Sequence, residues 1–279
     1  MAEPREGLEK TITALWEGRD DDSSVVSGDE ARAAVHQAIE LLDAGDARVA
    51  ELVDGEVVVH EWLKQAILLL FRLSQMETIE LGPFEYADKI PLKGDFRRQG
   101  VRVVPGASAR WGSYLAPGVI LMPSYVNIGA SVGADTMVDT WATVGSCAQI
   151  GERVHLSGGV GIGGVLEPPQ AAPVIVGDDS MIGSRCIVAG GARVGNGVVL
   201  GAGAILTGSI PVIDAETGAE LSRGIVPDWC VAISATRTRE YPGGTFGLPC
   251  VLVVKRLTEG ERHDKSKLND ILRDHGAAT

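Results

Sequence analysis

The sequence predicts a mainly-β protein, a parallel β-helix of hexapeptide repeats with an N-terminal helical domain before it and a small C-terminal α/β cap after it. Three observations predict this. Aliphatic residues recur at every sixth position, first through Ile120, Val126, Val132, Val138, Val144, Ile150, Leu156 and Ile162, then through Val176, Ile182, Val188, Val194, Leu200 and Leu206. The residues two before them are mostly small, as at Ser124, Ala130, Thr136, Ala142 and Ala148. Aromatics make up only 5% of the chain while glycines number 36, a composition for thin layers and tight turns. A period of six fits neither a helix nor an alternating strand. It fits a coil whose short strands each turn one aliphatic inward before a corner, with three strands and about 18 residues to a turn.

Residues 1–98 read as a mostly helical domain suited to packing or assembly. Ser27-Gly28-Asp29 can cap a helix through Ala31, Val35, Ala38, Ile39 and Leu42 that stops at Gly45. Asp54-Gly55 marks a hairpin turn, Glu61 to Leu73 a second apolar helix, and Gly82-Pro83 and Pro91 break the pattern. The repeat block covers 99–233. Val103, Ala109 and Leu115 run one residue out of phase with Ile120, which predicts an irregular first coil. Glycines after Val132, Val144, Ile150, Ile162, Val176, Ile182 and Val194 are read as permitting the corner turns. The register slips between Ile162 and Val176, which predicts an outward loop near 163–174. A second excursion near 211–224 turns at Glu216-Thr217-Gly218. The cap, 234–279, holds a strand at Cys250–Lys255 and a short helix at Ser266–Arg273.

A net charge of −12 argues against general nucleic-acid binding, so any anionic ligand must meet a local cluster of Arg and Lys. The N-terminus MAEPREGLEK is charged, and no stretch approaches the ~18 apolar residues of a membrane span. Four cysteines without a CxxC pair point to reduced thiols, a cytoplasmic location and no structural zinc.

Several residues stand out chemically. Gly159, Gly161 and Gly164 spell G-x-G-x-x-G, but Pro168-Pro169 and renewed strand follow, so the glycines read as a coil corner rather than a dinucleotide loop. Asp139 follows an inward valine and should face outward. It either caps a turn or serves as a cleft carboxylate that orients or deprotonates an amine, with Trp141 desolvating it and raising its pKa. His155 is the single histidine of the repeat block, which argues against a three-histidine metal site. It is either a hydrogen-bonded structural residue or a general base. Arg102 is either a surface ion pair or a bidentate clamp for a carboxylate. Arg185 and Arg193 in the second half, and Arg237 and Arg239 in the cap, are the local basic groups available to phosphates.

These residues sit in longer runs. Ala33–Leu42 with Arg48-Val49-Ala50, His60-Glu61-Trp62-Leu63-Lys64, Arg102-Val103-Val104-Pro105, Leu121–Ala130, and above all TMVDTWATVGSCAQIG and VHLSGGVGIGGVLEP between Thr136 and Pro168, resemble the tetrahydrodipicolinate N-succinyltransferase family over nearly the whole chain. The resemblance implies a left-handed coil, a homotrimer and active sites between subunits. It implies succinyl transfer from succinyl-CoA to the amine of tetrahydrodipicolinate, opened to an amino-keto dicarboxylate, in lysine and diaminopimelate biosynthesis. Arg102, Asp139 and Ser124 would then bind substrate, with Asp139 catalytic. Gly163, Gly164, Ser184, Arg185 and Gly203 would line the CoA path, with no metal and no permanently bound cofactor. Where the family pattern reads Ile-Gly-x-Arg-x-Glu-Val, this chain has Ile182-Gly183-Ser184-Arg185-Cys186-Ile187-Val188, and Ala235–Gly244 also departs from the family turn. These departures raise two alternatives: a paralogue using acetyl-CoA or a related amino-dicarboxylate in secondary metabolism, such as a tabtoxin-biosynthesis acyltransferase, or a non-catalytic β-helical binding or assembly protein.

Overall fold

The computed structural model describes residues 3–20 and 28–259, so Ser27 and the helix expected at Ser266–Arg273 lie outside the described residues. Three helices open the chain: α1 (Glu3–Glu17), α2 (Asp29–Ala44) and α3 (Glu61–Leu73). Their apolar faces, including Ile12, Val35, Ile39, Leu63 and Ile67, meet in one buried cluster. Gly28 stands at the N-cap of α2 without a side-chain bond, and Gly45 ends the helix at φ 78°, its amide donating to the Leu42 carbonyl. Strands β1 (Ala50–Val53) and β2 (Glu56–Val59) pair about Asp54-Gly55, both at positive φ, as a two-residue hairpin requires. A second hairpin, β3 (Glu77–Leu81) with β4 (Phe84–Asp88), spans Gly82-Pro83, where the sequence indicated only a break. Both of its faces are largely exposed, so it lacks the apolar alternation that signals a strand.

From Arg102 onward the chain visits three parallel sheets in turn. The strand at Met137–Val138 lies between Ile120–Leu121 and His155–Leu156. That at Thr143–Val144 lies between Tyr125–Val126 and Gly161–Ile162. That at Gln149–Ile150 lies between Ser131–Val132 and Ile175–Val176. One inward aliphatic per strand fills the coil, and Val126, Val138, Val144, Leu156 and Leu206 are fully enclosed. Each such burial stabilises the fold by roughly 1.5–3 kcal/mol.

Two expectations about the coil need correction. Ile120 is not the inward residue. Leu121 is fully buried and pairs with Val138, whereas Ile120 pairs with outward Met137. Val103, Ala109, Leu115 and Leu121 therefore form one regular series, and the irregular step is the short corner from Leu121 to Val126. Most other corners contain a left-handed residue, such as Gly106, Asp135, Trp141 or Arg153. Pro123 cannot adopt that conformation, and this corner closes one residue shorter without it. The second correction concerns the glycines after the inward aliphatics. None of those from Gly133 to Gly195 has a positive φ. They are glycine because the next coil is too close: a Cβ on Gly133 would lie 2.5 Å from the Gly151 backbone, and one on Gly145 2.2 Å from the Gly164 nitrogen.

The helical layer covers one of the three outer faces. Ile128 and Cys147 belong to the helical cluster, and a Cβ on Gly129 would meet Ile67 at 2.8 Å. The expected outward loop follows Ile162. The second excursion is itself a hairpin of Pro211–Asp214 and Glu220–Arg223, with Asp214 Oδ1 accepting from the Glu216 and Thr217 amides. Beyond it, Cys230–Tyr241 and Gly244–Arg256 form a long antiparallel hairpin that extends the sheet of Met137 and His155. The strand expected at Cys250–Lys255 is thus the inner half of a longer one.

Candidate active site

Asp139 occupies a slot that is glycine at many corners of the coil, and the coil above it places Ser157 there. Its Oδ1 accepts from the Thr140 amide at 2.6 Å and the Thr140 hydroxyl at 3.2 Å, while Oδ2 lies 3.2 Å from His155 Nε2. The strand pairing explains the last contact, since Met137 is level with His155 on the next strand and Asp139 follows two residues later. Both side chains of the pair are partly exposed. Partial burial pushes the Asp139 carboxyl up, but the Thr140 amide and the His155 ring outweigh it and hold the carboxyl below its ordinary value. The expected rise caused by Trp141 is therefore corrected. Trp141 sits at φ 60° with 74% of its surface exposed and does not enclose the carboxylate. Of the two alternatives posed above, turn capping is seen on Oδ1, while Oδ2 is turned to His155 instead.

The same corner repeats up the coil. Trp141 donates its amide to Pro123 O, Gly159 to Thr140 O, Arg185 to Gly158 O and Gly203 to Ser184 O, which stacks Ser184, Arg185 and Gly203 above the Asp139 turn. Arg185 folds back toward that turn, because a Cβ on Gly159 would lie 2.7 Å from Arg185 Cδ. Around the corner, Thr143, Gly161, Ile187 and Ile205 form an outward ladder. Ile187 leans down over Gly161, whose Cβ would meet Ile187 Cδ1 at 2.8 Å. Ile187 and Ile205 are 41% and 49% exposed, so this strip is an open apolar ledge. Gly163 and Gly164 lie at its far edge, where packing against Ala189 and the Ser146 amide accounts for their missing side chains.

The remaining expected residues divide. Arg102 is exposed on the first strand of the Asp139 sheet, two rungs below Met137, and among the described residues its guanidinium has no hydrogen bond or ion pair. Ser124 is buried, and its Oγ is enclosed without a partner rather than offered outward. Arg193 donates to the Gly55 carbonyl at 2.9 Å, so the β1–β2 turn occupies it.

Two residues escaped the sequence reading. Lys64, fully buried on α3, donates to the carbonyls of Pro168 at 3.2 Å and Ala171 at 2.7 Å and so pins the 163–174 loop. Burial lowers its pKa, opposed by Cys147 and Glu61. A lysine inside the apolar stripe of Trp62, Leu63, Ala66 and Ile67 was the available signal. Ser157 is buried beside Asp139 in sequence register with an unpartnered Oγ, which no spacing argument would reveal. The four cysteines are free and buried, and burial pushes Cys147 and Cys230 to about 12 and Cys186 to about 11. They are held as thiols and are poor nucleophiles. Among the described residues no cluster of His, Cys, Asp and Glu could hold a metal, and no helix is long and apolar enough to cross a membrane.

Comparison with known proteins agrees with this architecture. Residues 7–73 match the family model for the tetrahydrodipicolinate N-succinyltransferase N-terminal region, and residues 173–208 match the hexapeptide repeat of succinyl-transferase. The chain is 50% identical to a 2,3,4,5-tetrahydropyridine-2,6-dicarboxylate N-succinyltransferase of Paramagnetospirillum magneticum, over 96% of this chain and 98% of that one. It is 46% identical to the Caulobacter vibrioides protein of the same name, over 96% and 99%. A solved chain from Campylobacter jejuni, assigned as a 2,3,4,5-tetrahydropyridine-2-carboxylate N-succinyltransferase, is 20% identical and shares the fold with a TM-score of 0.50, over 79% of this chain and 62% of that one. With identity near one half sustained over nearly the full length of both chains, this protein belongs to the tetrahydrodipicolinate N-succinyltransferase family.

Proposed function

We propose that the protein transfers a succinyl group from succinyl-CoA to the amine of tetrahydrodipicolinate, in its opened amino-keto dicarboxylate form, on the route to diaminopimelate and lysine. The observation that carries this reading is the Asp139–His155 pair on an open outer face of a family chain. The low pKa of Asp139 keeps it ionised at neutral pH, as a group that holds an amine must be. The amine nitrogen attacks the thioester carbonyl, the C–N bond forms and the C–S bond breaks. The Asp139–His155 pair takes the proton from nitrogen and returns it to the departing thiolate. Arg102 clamps a carboxylate of the acceptor in this reading, a role supported by its position two rungs away at roughly 4.8 Å per rung. The ledge of Ile187 and Ile205, with Ser184, Arg185 and Gly203 along its corner, offers a path for the pantetheine arm.

The working unit in this reading is a homotrimer of left-handed coils with sites between subunits. An exposed tryptophan in a strained corner beside the candidate base supports a neighbouring chain there. A second reading, an acetyl-CoA-dependent paralogue, is favoured by the apolar Ile187 where the family pattern has an acid. Steady-state rates with tetrahydrodipicolinate and each thioester decide between them. The proposal expects a clear preference for succinyl-CoA. A preference for acetyl-CoA selects the paralogue, and background rates with every donor select a binding or assembly protein. Asp139→Asn should lower kcat by about 10²–10⁴-fold, and a variant within twofold of wild type ends its assignment as a base.

A further inference from the structure

Away from the Asp139 corner, a polar cleft of about 380 Å³ opens within the helical layer. That volume falls in the range of small-molecule sites, roughly 300–1,000 Å³. Four segments meet there. Arg5 and Glu9 come from one face of α1, a helical turn apart. Asp46 and Arg48 come from the turn after α2, Glu51 from β1 and His60 from the start of α3. Trp62 and Leu63, both buried, form the floor. The walls are tied to one another. Arg5 donates to the Asp46 carbonyl, His60 Nε2 lies 2.8 Å from Glu51 Oε1, and the His60 amide donates to Val49 O at 2.8 Å. The turn after α2 has no slack, since a Cβ on Gly45 would lie 2.5 Å from Tyr114 Cε2. Charge inside the cleft is nevertheless left unpaired. Among the described residues, Arg48, Glu9 and the Asp46 carboxylate have neither a hydrogen bond nor an ion pair. One open guanidinium and two open carboxylates call for a ligand with one carboxylate and two ammonium groups.

We propose that this cleft binds a diamino monocarboxylic acid, its carboxylate on Arg48, its two ammonium groups on Glu9 and Asp46, and its methylene chain along Trp62. A guanidinium takes a carboxylate through two parallel bonds, and each ammonium needs a carboxylate to offset its loss of water. Lysine, the end product of the route proposed above, belongs to this chemical class, but the site itself stands on the cleft and not on that route. Occupancy is felt at the coil through α3. Leu63 lines the cleft, and Lys64, the next residue, is fully buried and donates to the carbonyls of Pro168 and Ala171 in the 163–174 loop. A ligand that holds the first turn of α3 therefore also holds the anchor of that loop. The cleft and the loop are two distinct places joined by one helix, which is the physical link that coupling between sites requires.

The test titrates the full-length protein with L-lysine by calorimetry. L-Norleucine, which lacks the second ammonium, and 1,5-diaminopentane, which lacks the carboxylate, are the controls. The proposal expects a single L-lysine per chain and binding about tenfold or more weaker for each control. Arg48→Gln and Glu9→Gln, both at exposed positions, should each weaken L-lysine by about tenfold or more. Absence of L-lysine binding overturns the proposal, as does equal binding of 1,5-diaminopentane or unchanged affinity in either variant. Amide exchange supplies the second readout. Saturating L-lysine should slow exchange in the 163–174 loop of the wild type and leave it unaltered in Lys64→Met, and a wild-type loop indifferent to L-lysine overturns the link through α3. Neither readout uses turnover, so a failure here is distinguishable from a failure of the acyl-transfer reading.

Discussion

Asp139 uses its two carboxylate oxygens separately. Its Oδ1 closes a turn on Thr140, and its Oδ2 meets His155 on the next coil. Replacing His155 by Gln keeps a hydrogen-bond donor but removes the imidazole. If the ring carries the proton, the variant loses at least tenfold in kcat while KM for the acceptor changes little, and an unchanged kcat confines His155 to orientation. Asp139 also links to stability with a fixed sign. Its folded pKa is depressed, so its contribution is present above the unfolded value near 3.9 and is lost as pH falls through the folded value. Asp139→Asn should therefore flatten the acid limb of the stability curve below about pH 4, as followed by urea midpoints. The outward placement of Asp139 was legible from its position after Val138. Its partner was not, because His155 is sixteen residues on, and only the strand pairing makes them neighbours. The glycine slot was legible as a position but not as a cause. A Cβ on Gly145 would strike the Gly164 nitrogen at 2.2 Å, so Gly145→Ala should cost about 1–3 kcal/mol and lower Tm, although the φ there is ordinary.

At the scale of elements, the six-residue period reported every strand from Val126 to Leu206 correctly, because an inward aliphatic is the one requirement each strand must meet. It failed at Ile120, where two adjacent aliphatics, Ile120 and Leu121, both satisfied a composition rule and only packing distinguished them. The β3–β4 hairpin left no trace, since a ribbon exposed on both faces has no pattern to display. The 163–174 loop was visible as a slip in register, yet its anchor was not. Lys64 reaches it from a helix about a hundred residues earlier and uses two carbonyl acceptors. Lys64→Met keeps the stem but removes the donor from both part-buried carbonyls, at about 1 kcal/mol for each lost bond. Amide exchange in the loop should rise by at least tenfold in the variant while the coil strands keep their protection. Uniform exchange throughout the chain would show a global rather than a local role.

The whole molecule combines a covered face and two open ones. The helical layer packs against the sheet of Gln149, whereas the sheet of Asp139 below the C-terminal hairpin and the ledge of Ile187 have no partner among the described residues. Trp141 sits between those open faces in a backbone conformation that costs a side-chain-bearing residue roughly 1–2 kcal/mol. Assembly as a trimer predicts a sedimentation mass three times the 29.3 kDa chain. Trp141→Glu should shift that mass toward the monomer and abolish turnover together, whereas a monomeric wild type would place the whole site within one chain.

A stack of parallel strands has an intrinsic hazard, because its last rung presents unpaired amides and carbonyls that would welcome a strand from any similar molecule. In this protein the Asp139 sheet does not stop at such a rung. Cys230–Tyr241 lies on Val199–Leu200, turns back antiparallel with a shift in register at Val231, and hands the edge to a short hairpin facing solvent. The terminal hairpin is thereby also a guard against fibre growth, and a chain ending at Ile233 should polymerise into cross-β filaments under conditions in which the intact protein stays dispersed.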